Sequence, residues 1–111
     1  MLALVLLCRS LNLPPDLSLC VCIGGDEDSP ILMEEKKEGV WRTKIDMSTA
    51  HATTYIYGCY STEDEEVMGF EEVSSRTLDC GKRLMEAFTF KCKETGLPTL
   101  RVRDKWSMTT V

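Results

Sequence analysis

The chain has 111 residues, a formal net charge of −5 and a pI near 4.9. That length holds one domain with a modest core, and the acidic balance argues against nucleic acid as a partner. Six cysteines in so short a chain favour an oxidising compartment, hence an extracellular location with disulfides, over a cytoplasmic one.

Residues 1–8, MLALVLLC, are an apolar run of about signal-peptide length, without a basic n-region and followed directly by Arg9. They read as a degenerate signal peptide within residues 1–18, with an N-terminal strand as the alternative. The run is too short to cross a bilayer, so no stable membrane span is expected. Pro14 and Pro15 break it. Residues 17–23, LSLCVCI, then form a short buried strand closed by Gly24 and Gly25. Residues 26–38 are a charged connector around a small apolar island at 31–33. Residues 40–47 are the clearest strand: Trp41, Thr43, Ile45 and Met47 alternate with Arg42, Lys44 and Asp46. Residues 53–60, TTYIYGCY, are apolar or β-branched on both faces and suit a central strand, pairing with 40–47 as a hairpin. Residues 61–73 open a short helix at a capping box or hold a third strand at 67–73. Residues 99–103 alternate Leu100 and Val102 with Arg101 and Arg103, an edge strand with a charged outer face.

Between them, residues 75–98 carry the strongest helical signal. Thr77 is the N-cap and Asp79 sits in the first turn. Cys80, Leu84, Phe88 and Cys92 form an apolar stripe, Lys91 and Lys93 close the last turn, and Gly96 and Pro98 stop it. The expected fold is therefore α+β. A small antiparallel sheet, with strands near 17–23, 40–47, 53–60 and 99–103, is packed by one C-terminal helix at about 77–95. Residues 19–106 make a single domain and 107–111 a free tail.

Over twelve helical residues Cys80 and Cys92 stand roughly 18 Å apart, beyond the reach of a disulfide. Each needs another partner. With the helix laid over Tyr55, Tyr57 and Cys59, Cys59 is expected to pair with Cys80 or Cys92, and the other helix cysteine with Cys20 or Cys22. Cys20-x-Cys22 with His51 and Cys59 has poor spacing for structural zinc, so no metal is expected. His51, alone in a polar loop, reads as solvated. No catalytic set or cofactor motif is legible. Thr109 and Val111 fit the C-terminal pattern of a PDZ ligand.

Cys80-Gly81-Lys82-Arg83-Leu84-Met85-Glu86-Ala87-Phe88, with Cys92 and Gly96, resembles the B chain of the insulin family. The resemblance covers about 20 residues and finds no A chain. It implies core positions at Leu84 and Phe88, bridges from Cys80 and Cys92 to an A chain, and receptor contacts at Met85, Glu86 and Leu97. The chain is thus expected to be a small secreted, disulfide-containing binding protein, an insulin-like peptide or a piece of its precursor. It would act on a protein partner or receptor and not as an enzyme. The alternative is an intracellular interaction module with reduced cysteines and a PDZ-type tail.

Overall fold

The apolar N-terminal run is a strand, and the domain is built around it. A computed structural model describes residues 2–10, 13–47, 52–80, 82–83 and 96–106, and among these every regular element is a strand. In chain order they are β1 (Leu2–Arg9), β2 (Leu17–Ile23), β3 (Ile31–Leu32), β4 (Glu34–Lys37), β5 (Val40–Met47), β6 (Ala52–Ser61), β7 (Glu66–Phe70), β8 (Arg76–Asp79) and β9 (Thr99–Lys105). One sheet has the order β4-β5-β1-β9, with β1 antiparallel to β5 and parallel to β9. The other has the order β3-β2-β6-β7, with β8 also paired to β6. A shared core drawn from both sheets makes this a β-sandwich.

The inner face of the first sheet carries Leu2, Leu4, Leu6 and Cys8 of β1, Trp41 of β5, and Leu100 and Val102 of β9. The second sheet answers with Leu19, Val21, Tyr55, Tyr57 and Leu78. Ala3 and Val5, on the opposite face of β1, are buried as well. A central strand buried on both faces reads as a continuous apolar run, which is also how a leader reads. Of the two readings of this run, a degenerate signal peptide within residues 1–18 or an N-terminal strand, residues 2–9 show the strand in this structure.

Among the described residues the α+β expectation is corrected to an all-strand fold. Strands do lie at 17–23, 40–47, 53–60 and 99–103, the last at a sheet edge. However, β5 and β6 sit in different sheets, so they are not a hairpin. The N-terminal end of the expected helix is β8, antiparallel to the first half of β6 from Ala52 to Tyr55. Strand β6 has ten residues, and β7 covers only its second half. The first half would leave unpaired backbone groups, and the ladder with β8 satisfies them. Four residues of helix propensity are a weak prior against that. Asp79 then accepts a hydrogen bond from the Lys82 backbone N–H at 3.1 Å, closing a turn. The remainder of the expected helix, 84–95, lies outside the described residues. Among the described residues it is the first sheet that covers Tyr55 and Tyr57.

Candidate functional site

Cross-strand partners point to the same side of a sheet, and this sorts the second sheet into two faces. Leu19 opposite Cys59, Val21 opposite Tyr57 and Ile23 opposite Tyr55 face the core. Cys20 opposite Gly58, Cys22 opposite Ile56, and Ser18 opposite Tyr60 face outward. On β7, Phe70 opposes Gly58 and Val67 opposes Tyr60 across a register shift. Gly58 lets these side chains close over it: a β-carbon there would lie 3.1 Å from the Phe70 ring and 3.2 Å from Val67.

This outer face opens into a groove of about 420 Å³, lined by Tyr60, Phe70, Val67, Pro30 and the carboxylates Glu27, Asp28, Glu65 and Glu66. The groove has two fixed walls. The turn after β2 is tied down by Gly24 N–H donating to the Thr54 carbonyl at 2.7 Å, which places Glu27 and Asp28. The β6–β7 hairpin is held by Asp64 N–H donating to Ser61 Oγ at 3.0 Å and by Thr62 N–H donating to the Asp16 carbonyl at 3.0 Å. Glu65 closes that hairpin with a left-handed backbone, φ 56°. A non-glycine residue pays about 1–2 kcal/mol of steric cost there. The groove thus combines half-buried aromatic faces with acceptor-only carboxylates, a setting for a polar ligand with an apolar face and several hydroxyl donors.

Between the sheets lies a second polar group. The guanidinium of Arg76 grips the buried carboxylate of Glu71 in two hydrogen bonds, Nε to Oε2 at 2.9 Å and Nη2 to Oε1 at 2.7 Å. It also reaches Asp104 Oδ1 at 3.5 Å and donates to the Lys105 carbonyl at 2.7 Å. Asp104 Oδ2 accepts from the hydroxyls of Tyr55 (2.8 Å) and Tyr57 (2.7 Å), and Glu71 Oε2 accepts from the Tyr57 backbone N–H at 3.0 Å. The guanidinium lies 5.6 Å from the Tyr57 ring centre. Burial, then hydrogen bonding to Asp104, pushes both tyrosine hydroxyls well above the ordinary phenol value. With both carboxylates occupied by one guanidinium, this is a clasp joining β9 to β6 and β8.

The cysteines expected to bridge are thiols. Cys8, Cys20, Cys22, Cys59 and Cys80 are all free. The geometry explains this for the expected Cys59–Cys80 bridge, because Asp79, next to Cys80, pairs with Ala52 at the start of β6 while Cys59 lies near its other end. Burial pushes the Cys8 thiol up to about 12, helped by Glu71 and Asp104. Burial likewise pushes Cys20 up to about 12 and raises Cys22, Cys59 and Cys80. The expected disulfides, and the cysteine argument for an extracellular location, are therefore withdrawn. No group of metal-binding side chains occurs among the described residues. Leu97, one of the residues expected to contact a receptor, lies just before β9, where its carbonyl accepts from Thr99 Oγ1 at 3.2 Å. Cys92, Met85, Glu86, His51, Thr109 and Val111 lie outside the described residues. Sequence reasoning missed Tyr60, Phe70, Glu71, Arg76 and Asp104. No local motif links them, since pairing across the sheets brings them together.

No family model matches the chain and no curated protein matches it. Among solved structures it is similar to the glycoside hydrolase family 15 glucoamylase from Hypocrea jecorina. The TM-score is 0.67 at 10% identity, and the match covers 96% of this chain and 17% of that chain. Such a likeness shows a shared fold.

Proposed function

We propose that this chain, which shares its fold with 17% of a glycoside hydrolase, is a β-sandwich module that binds a neutral oligosaccharide without cleaving it. The observation that carries the reading is the outer groove, where Tyr60 and Phe70 meet Glu27, Asp28, Glu65 and Glu66. A sugar ring offers an apolar face to an aromatic ring and hydroxyl donors to carboxylates, and this groove supplies both partners. The buried carboxylate of Glu71 and the partly buried one of Asp104 do not serve as an acid pair in this reading, because both are held by Arg76. This reading replaces the protein partner or receptor expected from the sequence with a glycan ligand. No helix among the described residues is long and apolar enough to cross a membrane.

The test is calorimetric titration with soluble glucose oligomers, chosen because the structural neighbour is a glucoamylase. An open groove of this size leads us to expect a Kd on the order of 0.1–1 mM. Tyr60→Ala and Phe70→Ala are each expected to weaken it at least roughly tenfold. Absence of binding would reject the glycan reading. Release of shorter oligomers by the intact protein would reject the non-catalytic part of it.

A further inference from the structure

On the far side of the sandwich, the outer face of the first sheet concentrates positive charge in a chain whose net charge is −5. Arg9, Lys37, Arg103 and Lys105 surround a pocket of about 530 Å³ floored by Leu7 and Val40, with Asp104 at its margin. The pairing of β1 with its neighbours builds it. Leu7 opposes Arg103, Arg9 opposes both Lys105 and Val40, and Lys37 opposes Val40 across a bulge. None of the four cations makes an ion pair among the described residues, and Arg9, Lys37, Arg103 and Lys105 are all exposed. Asp104, the only carboxylate in the lining, is already taken up by Arg76 and the two tyrosines. Like charges placed directly opposite on neighbouring strands destabilise a sheet, and Arg9 facing Lys105 is such a pair.

We propose that this pocket binds a compact phosphorylated small molecule. Its phosphoryl oxygens sit between the two guanidinium and two ammonium groups, and its organic body rests on Leu7 and Val40. Guanidinium groups match phosphoryl oxygens in a two-point fork, and the ammonium groups add compact charge. The volume lies within the small-molecule range. The bounded volume suits a compact ligand rather than an extended acidic polymer. A small anion seated there feels chiefly the four cations within a Debye length of about 8–10 Å. This assignment does not depend on the oligosaccharide reading, since the two sites lie on opposite faces.

The experiment is calorimetric titration of the full chain with inorganic pyrophosphate and with a hexose bisphosphate. Saturable binding of one equivalent is expected, weakening as salt is raised. Arg103→Ala and Lys105→Ala, both exposed and outside the core, are each expected to lower affinity roughly tenfold or more. Lys36→Ala removes the same charge from a lysine already paired with Glu34 at 3.1 Å and is expected to change nothing. Tyr60→Ala is expected to leave pyrophosphate binding intact, which separates this site from the groove. The proposal is overturned if pyrophosphate gives no saturable binding at about 10 mM. It is overturned equally if Lys36→Ala weakens binding as much as Arg103→Ala, or if polyglutamate binds more tightly than either phosphorylated probe.

Discussion

A methyl group at position 58 would lie 2.9 Å from the Gly69 carbonyl oxygen, a backbone atom that cannot swing aside, and against the Phe70 ring. Gly58→Ala is therefore expected to cost about 1–3 kcal/mol of stability in urea denaturation. It should also weaken oligosaccharide binding by shifting Phe70; unchanged stability would show that β7 yields without strain. Arg76 presents the opposite case, an interaction that is filled. Its removal leaves the fully buried Glu71 side chain without its cation. Arg76→Ala is expected to cost about 3 kcal/mol, near the lower end for breaking a buried pair because the guanidinium is partly exposed. The paired change Arg76→Met with Glu71→Gln should cost less than the single one, since it strands no charge. Urea midpoints of the two variants compare them directly.

At the scale of the element, β1 is the strand the fold cannot spare. It is hydrogen-bonded on both edges, to β5 and β9, and its inner row Leu2, Leu4, Leu6 and Cys8 is fully buried. Each fully buried leucine is worth roughly 1.5–3 kcal/mol, a large share of the 5–15 kcal/mol typical of a domain. Deleting residues 1–10 is expected to abolish the cooperative unfolding transition seen by circular dichroism. A truncated chain that still melts cooperatively would show that the second sheet holds the domain alone. Strand β6 shows how one long strand overrides local preference, with β7 along one half and β8 along the other.

For the molecule as a whole, stability rests on packing and the Arg76 clasp, with no bridge among the described cysteines. A reductant is therefore expected to leave Tm unchanged, and a fall would reveal a disulfide. The buried thiols and tyrosines set the alkaline limit. Their folded values are raised above the ordinary 9.0 and 10.0, so above pH 9 the unfolded chain gives up protons that the folded chain keeps. The folded state then binds more protons, and stability falls as pH rises. Stability should be fully present below pH 9 and decline from there through the tyrosine range, measured by urea midpoints at successive pH values. Charge is also divided by face, with the acidic groove on one sheet and the cationic pocket on the other.

Alternation in the sequence by itself determined β5 to the residue and β9 at its start, because a half-buried strand writes its two faces into every second position, while the apolar run closed by Gly24 and Gly25 determined β2. It also determined that β9 carries a charged outer face. What it left open was partnership. β5 and β6 are successive strands separated by a short connection, yet they lie in different sheets, since that choice depends on where β1 inserts. The apolar run of β1 does not by its sequence show which strands it pairs with, and only the tertiary structure places it between β5 and β9, buried on both faces. Residues 76–79 carry helix-start signals but pair with the open half of β6, an edge no local window contains. Both candidate sites belong to the same class: Tyr60 meets Val67, Gly58 meets Phe70, and Arg9 meets Lys105, only through strand register. Propensity acts over a few residues and register over the whole chain, so the tertiary structure alone assembled the chemistry.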